Sequence, residues 1–355
     1  MQTKIVNLSE SINRDTVIQA AGQCICQGGL VAFPTETVYG LGGDALNPQS
    51  AHKIYEAKGR PSDNPLIIHI ATVEALSSII SKKPEQADVL MEAFWPGPIT
   101  MIFEKSDLVP METTGGLTTV AVRMPEHQYA LELINATGGY VAAPSANTSG
   151  KPSPTLAKHV IEDLSGKVDM ILDGGLVGIG IESTILDLTG EIPMILRPGA
   201  ITKDMIEEVI GRVEYDPSIF TMEEERIPRA PGMKYKHYAP QGELTIVEGE
   251  ERDVICTINK HTTSLLAKGA LVGVIATNET AHAYLASHVK SVGNRHDEET
   301  IGRRLYQILR EFDEEGMTHI YSEAFATTGM GQAIMNRLLK AAGHEVEVAY
   351  QLGGN

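Results

Sequence analysis

Short apolar runs rich in β-branched residues recur along the N-terminal part of the chain. They fall at Leu30 to Phe33, Leu66 to Ile70, Ile99 to Phe103, Thr118 to Val122, Tyr140 to Ala143, Met170 to Leu172, Ser183 to Leu188 and Met194 to Leu196. Runs of this kind, bounded by turn residues, predict strands. Between several of them the apolar positions take a helical spacing: Arg14 to Gln27, stopped by Gly28 and Gly29, then Gln49 to Ala57, His127 to Ala136 and Lys203 to Ile210. Other strands adjoin with no helix between them, so a mixed sheet is expected rather than a wholly parallel one.

After Val213 the pattern breaks into acidic Glu223 to Glu225, then Pro228, Pro231-Gly232 and the string Met233 to Pro240. Punctuation of this sort predicts a linker. Strand and helix then alternate: Leu244 to Glu248, a helical stretch to Lys268, strand Val272 to Ala276, a helix near Ala281, strand Val289 to Val292, helix Thr300 to Phe312, strand His319 to Ser322 and helix Gln332 to Ala342. That order predicts a smaller parallel, Rossmann-like α/β domain. The expected division is residues 1–212, a linker over 213–243, and residues 244–355. The turn Gly329-Met330-Gly331 is too short for a dinucleotide fingerprint.

A hydrophobic share of 42% with 34 Gly and 18 Pro fits a packed, turn-rich protein. Three cysteines, Cys24, Cys26 and Cys256, cannot build a disulfide framework or a paired zinc site. No apolar stretch reaches the ~20 residues of a membrane span, and the N-terminus lacks a basic start followed by an apolar core, so a cytoplasmic location is expected. A formal net charge of -17 argues against a broad nucleic-acid surface.

No phosphate-binding Gly-x-x-x-x-Gly-Lys loop, His-Glu-x-x-His or Gly-x-Ser-x-Gly is present. Four polar clusters instead follow or interrupt predicted strands, where open α/β sheets hold ligands. Pro34 to Gly42 offers the hydroxyls of Thr35 and Thr37 beside glycines. Lys58 to Pro65 sets Lys58 and Arg60 on a loop stiffened by prolines, fit for phosphate oxygens or simply for a helix dipole. Thr119 and Arg123, four apart on a strand, share a face; an inward arginine there needs either a substrate carboxylate or a buried acidic partner. Ala143 to Ser153 is a run of hydroxyls and amides able to cradle a nucleotide or to be only a loop. Glu182-Ser183-Thr184 and Arg197-Pro198-Gly199 are two smaller pieces of the same character.

Taken together, Phe33 to Gly42, Lys58 to Ile70, Trp95 to Pro98, Val120 to Pro125, Ala143 to Pro154, Ser183 to Ile185, Leu196 to Gly199 and Lys234 to Pro240 resemble the threonylcarbamoyl-AMP synthase family. The likeness is to its long form, a YrdC-like mixed twisted sheet with helices followed by a second domain. The resemblance implies a nucleotidyltransferase that joins L-threonine, bicarbonate or CO2, and ATP into threonylcarbamoyl-AMP and pyrophosphate, for t6A formation in tRNAs reading ANN codons. It implies that Thr35, Thr37, His69, Arg123, the backbone at Ala143, and Ser183 hold threonine. It further implies that Lys58, Arg60, Asn64, Thr119, Ser145, Asn147, Ser153 and Arg197 hold ATP, with Lys58 and Arg60 meeting the reacting phosphates and Tyr238 closing over the nucleotide. Magnesium would come with the triphosphate, no protein-built metal site being expected. The product would pass to a transferase acting on tRNA, with at most weak contact to RNA. The alternative is a double-stranded RNA-binding module, which the acidic charge disfavours. Carbamoyl transfer in hydrogenase maturation would require cysteine pairs that are missing here.

Overall fold

The computed structural model describes residues 2–10, 13–219, 230 and 237–350. The chain forms two compact units, one of Met1–Ser149 with Ser153–Tyr235, the other of Gly150–Pro152 with Lys236–Asn355. Of the string Met233 to Pro240, residues 233–236 lie outside the described residues.

The first unit is built on one mixed sheet. In chain order its strands are β1 (Lys4–Asn7), β2 (Val31–Phe33), β3 (Gly40–Asp44), β4 (Ile67–His69), β5 (Ile99–Glu104), β6 (Thr119–Arg123), β7 (Val141–Ala142), β8 (Met170–Asp173), β9 (Thr184–Asp187), β10 (Met194–Arg197) and β11 (Glu214–Tyr215). Across the sheet they run β1, β8, β2, β3, β7, β4, β6, β5, β9, β10, β11. Parallel pairs such as β4 with β6 alternate with antiparallel ones such as β5 with β6. Successive residues of β2 serve opposite faces, Ala32 entering one apolar core and Val31 and Phe33 the other.

Eight of these strands sit where the apolar runs predict them. Strand β3 does not announce itself, because Gly40-Leu41-Gly42-Gly43-Asp44 has almost no side chains to read. Its glycines answer a packing demand: a Cβ on Gly42 would lie 2.9 Å from both the Phe33 ring and a Val141 methyl.

The helices of this unit are α1 (Arg14–Cys26), α2 (Pro48–Lys58), α3 (Leu76–Ile79), α4 (Gln86–Phe94), α5 (Gln128–Ala136), α6 (Ala157–Leu164) and α7 (Lys203–Ile210). Helix α2 shows how local chemistry sets bounds. Asn47 caps its start by accepting from Gln49 N–H, Pro48 opens it, and Gly59 closes it in the left-handed conformation. Helix α1 buries Ile18, Ala21, Gly22 and Ile25 and packs on α5.

The second unit is a parallel sheet of β12 (Glu243–Glu248), β13 (Val272–Ala276), β14 (His288–Ser291), β15 (His319–Glu323) and β16 (Val346–Val348), in the order β14, β13, β15, β12, β16. Its helices are α8 (Glu251–Leu266), α9 (Glu298–Glu314) and α10 (Gly329–Ala341). The expected Rossmann-like alternation is borne out, except that the helix near Ala281 is a single 3-10 turn, Ala281–Ala283. Val254 and Ile258 of α8 pack with Val272 and Val274, whereas Gly273, pointing the other way, faces the Phe312 ring of α9. Helices α8 and α9 therefore cover opposite faces.

The α1 contact gives a test. By helix propensity, Gly22→Ala should gain up to ~1 kcal/mol. Its Cβ, however, would stand 2.6 Å from Ala136 Cβ and 2.9 Å from that residue's carbonyl carbon and oxygen, and overpacking of this kind costs ~1 to 3 kcal/mol. Chemical denaturation should show Gly22→Ala less stable than the parent; a gain would mean that α1 and α5 are free to separate.

Candidate functional site

The polar segments that flank the strands come together within the first unit. The turn after β2 is held from both sides: Tyr39 N–H donates to Pro154 O (2.9 Å), Leu41 N–H to Pro144 O (2.8 Å) and Ala146 N–H to Tyr39 O (2.8 Å). On its other flank Ile179 N–H donates to Glu36 O (2.8 Å) and Gly180 N–H to Thr37 O (3.0 Å). Thr35 and Thr37 are buried with their hydroxyls 2.9 Å apart, and the Thr35 hydroxyl donates to Val38 O.

His69 and Arg123 are register partners on the parallel strands β4 and β6. The His69 Nδ1–H donates to Ile67 O at 3.2 Å. Burial, reinforced by the Arg123 guanidinium, pushes its pKa down to about 3. The imidazole is thus neutral across the physiological range. Ala143 closes the same corner, its N–H donating to Ile67 O at 2.9 Å.

Sequence leaves two ways to compensate the inward Arg123, and the structure supplies the second. Glu36, from the turn after β2, places Oε1 2.7 Å from Arg123 Nη2, with both side chains at least nine-tenths buried. The angle is wrong for a hydrogen bond, however. Both Glu36 oxygens and the Arg123 Nε and Nη2 groups are buried with no hydrogen-bond partner among the described residues. An attractive charge contact and unmet hydrogen-bonding capacity coexist here, which is unusual for groups so buried.

Lys58 is buried to 1% exposure at the end of α2. It is more than an answer to a helix dipole, since its Nζ donates to the carbonyls of Ser145 and Asn147, the latter at 2.6 Å, and approaches Asn147 Oδ1 at 3.5 Å. The ammonium thereby pins the hydroxyl-rich loop. Arg60 Nη2 donates to Pro65 O (3.2 Å) and Asn64 O (3.4 Å), rigidifying its own loop, while the buried Asn64 Oδ1 has no hydrogen-bond partner among the described residues.

Ser183 Oγ lies 2.8 Å from Thr100 Oγ1 and accepts from Arg197 Nη2 at 3.2 Å, and Arg197 Nε donates to Ser183 O at 3.0 Å. A Cβ on Gly199 would meet Thr184 N at 2.4 Å, so only glycine lets the Arg197 turn lie against the Ser183 segment. Ser153 Oγ donates to Glu182 Oε1 at 2.5 Å. Thr119 begins β6 opposite Glu104, half-buried. Tyr238 belongs to the second unit, where it has φ 65° and stacks on Tyr306 with centroids 5.2 Å apart. Glu36 and Thr100 are the residues that sequence reasoning missed. For Glu36 the signal was available, a carboxylate between two threonines in a motif already singled out.

Among the described residues no group of three or more His, Cys, Asp or Glu could hold a metal ion. The arrangement is thus a buried set of hydroxyls and the Glu36–Arg123 ion pair beside a loop pinned by a cation. It suits a protein that binds and orients a small polar substrate rather than attacking it. A family model described as "Telomere recombination", covering Sua5, YciO and YrdC proteins, matches residues 23–199, and one described as "Threonylcarbamoyl-AMP synthase, C-terminal domain" matches 201–343. The chain is 48% identical to the threonylcarbamoyl-AMP synthase of Bacillus subtilis, over 98% of this chain and 99% of that one. It is 47% identical to that of Pyrococcus abyssi, over 97% and 99%. The crystal structure of P. abyssi Sua5 complexed with L-threonine superposes with a TM-score of 0.92 at 45% identity, over 99% of this chain and 100% of that one. The chain belongs to the threonylcarbamoyl-AMP synthase family, in its two-domain form. These matches do not favour the RNA-binding alternative.

Two measurements test the site's electrostatics. Removing one member of a buried pair costs ~3 to 5 kcal/mol, so Glu36→Gln should destabilise markedly and the double variant Glu36→Gln with Arg123→Gln should recover part of the loss. A double variant whose loss equals the sum of the two single losses would show no coupling. For His69, the unfolded imidazole protonates near ~6.5 but the native one only near 3, so its contribution is complete above the former and is lost as pH falls toward the latter. His69→Gln should flatten that part of the stability curve; an unchanged slope between those values would refute the assignment.

Proposed function

We propose that the protein makes threonylcarbamoyl-AMP and pyrophosphate from L-threonine, bicarbonate or CO2, and ATP, as an adenylyl-transferring nucleotidyltransferase. The observation that carries this reading is the unmet hydrogen-bonding capacity of Glu36 and Arg123, in a chain aligned end to end with synthases. A zwitterionic amino acid fits that pair without adding net charge: its carboxylate meets Arg123 and its ammonium lies toward Glu36. Thr35, Thr37, His69, Ser183 and the Ala143 backbone surround the remainder in this reading.

The nucleophile comes from the substrate. The threonine ammonium first gives up a proton to solvent, and the free amine then bonds to the carbon of CO2 with loss of a second proton to form a carbamate, or bonds to bicarbonate carbon with loss of water. A carbamate oxygen then bonds to the α-phosphorus while the bond to the β-phosphate bridging oxygen breaks and pyrophosphate leaves. Such chemistry asks for orientation and charge neutralisation. The nucleotide is assigned to the loop that Lys58 pins, with Arg60, Asn64, Thr119, Ser145, Asn147, Ser153 and Arg197; Tyr238 is assigned to it by resemblance alone. Magnesium would arrive bound to the triphosphate and supply charge neutralisation there. The product is read as passing to a transferase that modifies tRNA in the cytoplasm. No helix among the described residues is long and apolar enough to cross a membrane.

The test is to incubate the protein with ATP, labelled bicarbonate and each amino acid in turn. Threonine should give a labelled adenylate with matching pyrophosphate. Serine, short of one methyl contact worth ~1 to 3 kcal/mol, should react roughly ten- to two-hundredfold less efficiently. Pyrophosphate release at full rate without threonine would overturn the reading.

A further inference from the structure

The second unit contains a cavity that the synthase reading does not use. From β12 the chain crosses over β15 to reach β13, and from β15 it crosses β12 in the opposite direction to reach β16. The neighbouring strands β12 and β15 thus send their connections to opposite sides, and the crevice beyond their carboxyl ends is where open parallel sheets hold ligands. A cavity of about 140 Å³ lies there, lined in part by Val247, Gly249, Glu251, Val254, Tyr284 and Arg295.

Its polar wall is built rather than incidental. Glu323, 2% exposed at the end of β15, accepts from the hydroxyls of Thr280 and Tyr284, the latter at 2.8 Å, and pairs with Arg295 Nη2. Arg295 Nη1 donates to Ala324 O at 3.2 Å. The guanidinium is locked in place with its charge matched, and its buried Nε–H has no hydrogen-bond partner among the described residues. Among the other lining residues, Gly249 turns the chain at φ 147°, a conformation open to glycine, and Glu251 opens α8 and is exposed.

Size and charge narrow the ligand. The space of about 140 Å³ is well below the ~300 Å³ where pockets for drug-sized ligands begin, which favours a ligand much smaller than a nucleotide. With Glu323 neutralised by Arg295, Glu251 leaves the site negative, which opposes phosphate. We propose that this cavity binds a small free α-amino acid, its carboxylate accepting from Arg295 Nε–H, its ammonium facing Glu251 and its side chain against Val247 and Val254. The inference stands independently of the catalytic reading.

The experiment labels valine methyl groups in the full-length protein and titrates the twenty amino acids, AMP and inorganic phosphate, each to about 10 mM. The Val247 and Val254 resonances report this cavity, while Val122 and Val141 report the first unit. Saturable shifts of Val247 and Val254 with a small amino acid are expected, weakened about tenfold or more in Glu251→Gln and abolished in Arg295→Ala. Should Arg295→Ala not fold, because Glu323 is left uncompensated, the exposed Glu251→Gln decides alone. No shift with any amino acid, or shifts with phosphate or AMP only, or shifts unchanged in Glu251→Gln, would overturn the proposal.

Discussion

A guanidinium buried in a sheet keeps its charge and is costly there unless an anion offsets the lost hydration, and the first unit meets that requirement at Arg123 with Glu36. The compensating carboxylate comes from the turn after β2, although β3, β7 and β4 stand between β2 and β6 in the sheet. To bring Glu36 across that distance the turn must curl over the strand ends and stay there. That explains why so short a segment is tied by backbone hydrogen bonds to residues on both its flanks, from Pro144 to Pro154 on one side and at Ile179 and Gly180 on the other. The polar turn, the hydroxyl-rich loop and the Ser183 segment are thereby fixed relative to one another by the same contacts that hold the ion pair.

Lys58 extends the same logic with the opposite partner type. Its ammonium donates to the carbonyls of Ser145 and Asn147. Carbonyl dipoles stabilise a buried ammonium without themselves carrying a net charge.

Much of this was legible in sequence wherever the signal is local. Apolar runs gave eight strands, and a spacing of four on an apolar strand marked Arg123 as inward and in need of an anion. What sequence could not supply was the anion's identity, because Glu36 is distant along the chain and lies in a turn whose pattern reads as threonine-rich and polar. The same holds for Lys58: its position at a helix end is local information, while the carbonyls it meets belong to a loop brought back by tertiary packing. Strand β3 escaped for the reverse reason, its glycines being chosen by what presses on them and not by strand preference.

Both units carry a glutamate and arginine pair with a buried carboxylate, and the two differ in how that carboxylate is satisfied. Glu323 has its oxygens taken by two hydroxyls as well as by Arg295, so its cost of burial is met internally. The Glu36 carboxylate has no hydrogen-bond partner among the described residues, and Arg123 has two such buried groups where Arg295 has one. The first pair needs nothing further to be stable and serves to fix the Arg295 guanidinium in one orientation. The second pair is electrostatically balanced yet incomplete in hydrogen bonds, a state that a molecule bearing one carboxylate and one ammonium can complete without changing the net charge of the site. The two pairs share a place at strand ends, Arg123 closing β6 and Glu323 closing β15, and differ in whether hydroxyls bond to the carboxylate.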